Sequence, residues 1–194
     1  METRRKRVIG LVGGICSGKS TVSSILKEKG CHCIDCDKIG HRVYEPHSVG
    51  FDRIVATFGE GVVAEDGSID RHKLGSIVFS SPAEMKKLTD ITWPLIHDAA
   101  LQEIEQCSAS VIVVEAAIML EAGWTDICDE IWVVEVDHAQ AVQRLQQRNH
   151  LSLEECEKRL AAQWSNEKRE QFADHVIKNN GSLEDLTRQV EAIL

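Results

Sequence analysis

Apolar positions along the chain fall into two alternating patterns. Short apolar runs occur at 8–12, 110–116 ("SVIVVEA") and 130–136 ("EIWVVEV"), the last two dominated by β-branched residues, and 31–34 reads as a further strand. Continuous runs of this length read as strands buried on both faces of a parallel sheet. Residues 175–181 ("HVIKNNG") read as a last short strand and turn. Between the runs the spacing turns helical, at 20–28 ending near Gly30, and at 139–148 with Val142 and Leu145 on one face. Ser81-Pro82-Ala83-Glu84 and Ser152-Leu153-Glu154-Glu155 read as capping boxes that start helices. Ser182 to Asp185 starts a C-terminal helix with Leu186, Val190 and Ile193 spaced for one face. About seventy-five residues with mostly helical signals separate the second strand from the third. Pro94 is expected to break or kink the helix in which it lies.

Strands alternating with helices imply right-handed crossovers and a parallel sheet covered on both faces. The fold class is therefore α/β, a three-layer sandwich with a long helical insertion between its second and third strands. At 194 residues the chain suffices for one sizeable core. A net charge of −9 leaves no broad basic face for phosphate neutralisation and argues against a nucleic-acid partner. No apolar run approaches the ~20 residues that span a bilayer. The opening "METRRKR" is basic, but 8–12 is too short for a signal-peptide core, so a cytoplasmic location is expected. The seven cysteines show no regular disulfide framework and suggest a reducing compartment. "CHCIDC" at 31–36 invites a metal reading. In a strand, however, Cys31 and Cys33 face one way and Cys36 the other, with no second ligand pair evident, so small core residues are the better reading.

The chemistry begins with "GGICSGKST". Gly13, Gly14, Ile15, Cys16, Ser17, Gly18, Lys19 and Ser20 match G-x4-G-K-[ST] directly after a strand and directly before a helix, with Thr21 next. That context defines a P-loop, in which backbone N–H groups turn inward around phosphate oxygens at a helix N-terminus. Lys19 then reaches the β- and γ-phosphates of ATP, and the Ser20 hydroxyl ligates Mg²⁺. Cys16, inside the loop beside a lysine and a helix N-terminus, is either a reactive thiol protected by ATP or an inert one facing the core. Asp35 and Asp37 in "IDCDKIGHR" stand two apart at the end of the second strand and so share a face. One of them could accept a proton from an attacking hydroxyl; the other reading is a capping aspartate. Glu115, ending the third strand, either holds a metal-bound water or caps a helix.

Taken in order, these segments resemble the dephospho-CoA kinase family over nearly the whole chain. "GLVGGICSGKSTV" looks like its P-loop and "CIDCDKIGHRVYEP" like its Asp-x-Asp segment. "DGSIDRHKLGSIVF", "WPLI", "AAIMLEAGW" and "ADHVIKNNG" follow in the family's order. "LEAGW" looks closer to the kinase half of eukaryotic bifunctional CoA synthases. The resemblance implies a P-loop NTPase-type sheet with a substrate-binding helical insertion at about 42–106 and a small helical lid at about 144–170, all in one domain. It implies ATP and Mg²⁺ as cofactors, dephospho-CoA as the small-molecule partner, and Asp37 as general base with Asp35 supporting. Lid arginines fall on Arg144, Arg148 and the segment 163–169, with Arg148 and Arg169 the catalytic candidates and Asn166 standing where bacterial members place a first lid arginine. The resemblance places His41 at a position of a bacterial arginine, with Arg42 next, and makes Arg71 a candidate of the insertion for anchoring an anionic group of the substrate. Oligomeric state is left open. Another small-molecule P-loop kinase is the competing reading. A nucleotide switch lacks support, since no NKxD-like segment is present and the Asp-x-Asp has no purpose in one.

Overall fold

A computed structural model of the chain describes residues 6–194; most of the basic opening therefore lies outside the described residues. The described residues form two compact units, one of 6–34 with Cys107–Leu194 and the other of Asp35–Gln106. In the first, β1 (Arg7–Gly13), β2 (His32–Asp35), β3 (Val111–Glu115), β4 (Glu130–Glu135) and β5 (His175–Lys178) make a five-stranded parallel sheet in the order β2-β3-β1-β4-β5. β1 lies at its centre, with Gly10 aligned to Val114 of β3 and Ile131 of β4.

The alternation along β1 decides what each face meets. Ile9 and Leu11 point to one side and join Val113, Trp132, Val134 and Ile177. That side is covered by α1 (Lys19–Glu28) through Val22, Ile25 and Leu26, and by α9 (Leu183–Ile193) through Leu186 and Val190. After β4 come α6 (His138–Asn149), α7 (Leu153–Ala161) and α8 (Asn166–Glu170), the first two meeting over Val142, Leu145 and Cys156. The second unit holds α2 (Cys36–Arg42), α3 (Val49–Phe58), α4 (Arg71–Val78) and α5 (Pro82–Gln106) around Ile54, Val62, Ile69, Leu74 and Val78. Among the described residues, no helix is long and apolar enough to cross a membrane.

Three local expectations are corrected. Of the two outcomes expected at Pro94, the break does not occur: α5 runs unbroken for 25 residues. A proline inside a helix removes one backbone bond, but Thr92, Ile96, Ala100 and Ile104 are buried on either side of it, and packing outweighs the loss. The box at Ser81 is half made: its hydroxyl accepts from the Ala83 N–H, while Glu84 turns to Lys87. The box at Ser152 and Glu155 is complete, as is a further one at Ser182 and Asp185. Finally, Asp37 lies in the first turn of α2 rather than on a strand, because β2 stops at Asp35.

The end of the sheet away from the P-loop is stapled by Arg7, the first residue of β1. Its guanidinium pairs with Glu130 and donates to the carbonyl oxygens of Leu194 (2.6 Å) and Ile193 (3.1 Å). Trp132, fully buried, donates from Nε1 to the same Glu130 at 3.2 Å. Trp132→Ala removes the largest buried side chain and this hydrogen bond together. A loss of about 3–5 kcal/mol is expected in urea unfolding; a loss under about 1 kcal/mol contradicts this account of the core.

Candidate active site

β1 ends at Gly13 and α1 begins at Lys19, so the loop between them must reverse over a few residues. Cys16 (φ 59°) and Gly18 (φ 97°) both take left-handed backbone there, which curls successive N–H groups to one side. Gly18 caps α1 without a side-chain bond, so the helix N-terminus is left to an external acceptor. A Cβ on Gly18 would strike Asn179. The Lys19 ammonium folds back to the Gly13 carbonyl at 2.8 Å. The Ser17 hydroxyl is buried without a partner among the described residues.

The loop's outward carbonyls are held by neighbours from the end of the sheet. Asn179, directly after β5, donates Nδ2–H to the Ser17 carbonyl at 2.8 Å. Arg144 of α6 donates to the carbonyls of Cys16 (3.2 Å) and Asn179 (2.8 Å). Arg144 thus braces the loop's backbone. The Cys16 side chain packs against the apolar cluster of Val142, Leu145 and Cys156, the inward of the two orientations open to it.

Beside the loop lies a cavity of about 490 Å³, lined among others by Gly14, Ile15, Ser17, Gln163, Asn166 and Arg169. Arg169 is 4% exposed. Burial lowers its pKa from the ordinary value, countered by the carboxylates of Glu121 and Glu135. A Cβ on Gly14 would sit 3.2 Å from Arg169 Nη1 and 3.5 Å from Gln163 Oε1, so a glycine lets both approach the loop. Asn166 donates to the Val136 carbonyl at 3.2 Å and fixes the segment by its backbone contact. Arg148, by contrast, is exposed at the end of α6, bonded to Asn149, and does not line the cavity. Ser20 and Thr21 stand exposed on the first turn of α1. Glu115 accepts from the buried Ser23 hydroxyl at 2.6 Å, tying β3 to α1.

In the second unit, Asp35 caps α2, accepting the backbone N–H groups of Asp37 and Lys38 at 3.0 and 3.2 Å. His41 and Arg71 line a cavity of about 370 Å³ with Tyr44, Glu45, Pro46, Ser68 and Ile69. Arg71 lies 6.0 Å above the Tyr44 ring. Arg42 is paired with Glu103 and is outside that lining.

The profile of the dephospho-CoA kinase family matches residues 7–185. The chain belongs to that family. A dephospho-CoA kinase from Geobacter sulfurreducens is 46% identical over 189 residues, covering 96% of each chain. A dephospho-CoA kinase domain-containing protein from Danio rerio is 42% identical, over 94% of this chain and 82% of that one. Among solved structures, TT1252 from Thermus thermophilus superposes with a TM-score of 0.84 at 32% identity, covering 97% of this chain and 96% of that one. A shikimate kinase from Acinetobacter baumannii, at 17% identity and a TM-score of 0.56 over 98% of this chain and 93% of that one, shares the fold alone.

Asn179 and Gln163 are not singled out by motif or spacing. Asn179 had a signal: a polar residue at the carboxyl end of a parallel strand falls where ligands collect. Gln163 had none beyond its place in the expected lid.

Glu135, at the end of β4, is 6% exposed and its Oε1 has no partner among the described residues. Burial, reinforced by the neighbouring Glu170 carboxylate, pushes its pKa up to about 7 against the opposing charge of Lys178. The folded chain therefore keeps this proton to higher pH than the unfolded chain does, and stability falls as pH rises from the ordinary 4.5 to about 7. Glu135→Gln removes the dependence. In thermal unfolding the variant is expected to exceed the parent at pH 8 and to match it near pH 4.5; equal midpoints at both pH values contradict the assignment.

Proposed function

We propose that this chain transfers the terminal phosphoryl of ATP to the ribose 3′-hydroxyl of dephospho-CoA, giving coenzyme A and ADP in the last step of coenzyme A synthesis. The observation that carries the reading is the family match over 7–185 together with a P-loop whose helix is left without a side-chain cap. Such transfers need little covalent work from a protein and depend on positioning and electrostatics. In this reading N–H groups of the loop and of the start of α1 cradle the phosphates, the Ile15 N–H being held by Gln163 instead, and Lys19 neutralises the β,γ-oxygens. Arg169 stabilises the transferring phosphoryl from its buried position, where low dielectric strengthens the attraction. Arg148 joins it only if α6 and α7 rearrange on binding, since the cavity beside the loop does not include it.

Asp37 takes the proton of the attacking hydroxyl. Asp35 fixes the turn from which Asp37 projects, because both its accepted bonds come from the first turn of α2. His41 and Arg71 meet the anionic or polar part of dephospho-CoA in their cavity, while the Arg42–Glu103 pair makes Arg42 the weaker contact. The exposed Ser20 hydroxyl is a hard oxygen donor next to Lys19 and fits Mg²⁺ held mainly by substrate phosphates. When bound, that ion neutralises charge on the β,γ-oxygens. We read the whole as one kinase domain, with its insertion near 42–106 and its lid near 144–170, working in the cytoplasm.

ADP release from Mg-ATP is expected to depend on dephospho-CoA, with the product gaining one phosphate by mass. Turnover of another hydroxyl acceptor in its place favours the competing small-molecule kinase reading. Asp37→Asn is expected to leave ATP binding nearly unchanged while lowering turnover ~10²-fold or more. Full activity in that variant removes the general-base role.

A further inference from the structure

The side-chain amide of Gln163 is divided between two tasks. Its Oε1 accepts the backbone N–H of Ile15 at 2.8 Å. An oxygen is required there, since an N–H can only donate, so the amide orientation is fixed by chemistry. The Nε2 end is left with no hydrogen-bond partner among the described residues, and Gln163 lines the cavity beside the P-loop.

The cavity's lining includes the carboxylates of Asp137, Glu157 and Glu167, but the wall beside Gly14 presents the guanidinium of Arg169. Arg169 and Gln163 approach the loop at the same residue, Gly14. The unpartnered Ser17 hydroxyl shares the lining with both. Ile15 lies near the start of the loop, before the turn that leads to the helix N-terminus at Gly18 and Lys19, where inner phosphates dock. A nucleoside triphosphate laid along the loop therefore brings its terminal phosphoryl to the Gly14–Ile15 end.

We propose that Gln163 is a catalytic residue of the transfer, donating Nε2–H to an oxygen of the terminal phosphoryl while its Oε1 stays anchored to Ile15. The inference rests on the phosphoryl-transfer reading above but not on the identity of the acceptor. The anchor makes the donor rigid, so it meets the developing charge without reorganising. The same bond couples the 163–169 segment to the loop, so Arg169 and Gln163 reach the phosphoryl together. Asn166, held to Val136, keeps the segment between them in place.

Gln163→Glu separates donor from anchor. It preserves length and an oxygen for the Ile15 N–H, but replaces the donor with a second anionic oxygen. Gln163→Leu removes both functions. If Gln163 donates to the phosphoryl, Gln163→Glu is the worse of the two. Its kcat is expected to fall ~10²-fold or more, the scale seen when one such donor is lost. If the residue only tethers the segment, Gln163→Glu retains the tether and Gln163→Leu is the worse.

Calorimetric binding of ATP and ADP, without any acceptor, gives a second readout. Gln163→Glu is expected to weaken ATP at least about tenfold relative to ADP, the ~1.4 kcal/mol typical of a lost charge-assisted bond, with ADP affinity unchanged. An ATP-to-ADP affinity ratio equal to the parent's, or a Gln163→Glu more active than Gln163→Leu, overturns the proposal. Because the binding assay needs no dephospho-CoA, a wrong acceptor assignment leaves it intact.

Discussion

The start of α1 carries backbone N–H groups that no side chain of its own satisfies. Asp35, Ser48, Asp70, Ser152, Ser165 and Ser182 cap six other helices with their side chains. At α1 the cap is a left-handed glycine instead, and the partial positive charge stays available. The surroundings follow from preserving that deficit. A loop whose N–H groups converge must send its carbonyls outward, and those carbonyls need donors. Arg144, Asn179 and Lys19 supply them from α6, the end of β5 and the helix itself. The parallel sheet brings these groups within reach, because its strands all end on the same side.

Charge is distributed in keeping with this. A chain of net charge −9 can present positive charge to an anion only where its cations are gathered locally. Arg169 is the clearest case, a guanidinium held at 4% exposure against its own desolvation cost by two acidic neighbours. The same neighbourhood explains Glu135. An acid at the end of a central strand, close to another carboxylate, is more easily kept protonated than hydrated.

Much of the fold was legible in the sequence. Runs of β-branched residues marked β1, β3 and β4 to within a residue, because a strand buried on both faces admits little else, while the half-exposed β2 and β5 were marked by short apolar stretches at the expected places in the alternation. The P-loop was legible because its spacing is a backbone requirement. What escaped was set by tertiary contact. Two aspartates two apart look like one strand face, yet Asp35 began a helix by accepting two N–H groups, and that local bond outweighed the period. Pro94 looked like a break, yet the surfaces buried on both sides of it held α5 together. Arg148 and Arg169 were indistinguishable as lid arginines. Only the path of 163–169 beside the loop separates a buried cation from an exposed one. Gln163 and Asn179 have roles that exist only through backbone groups 148 and 162 positions away, a separation no local pattern encodes.

The crowding at Gly14 also bears on how such loops are written as search patterns. The G-x4-G-K-[ST] consensus treats the second position as a wildcard, since any residue there can complete the turn. Here Arg169 and Gln163 press on that position from another part of the chain, so alanine already forces the guanidinium aside by a few tenths of an ångström. The wildcard is thus free in the abstract motif and restricted in this chain. A pattern meant to retrieve its functional equivalents needs eight residues near the beginning and seven more near the end, read as one discontinuous word.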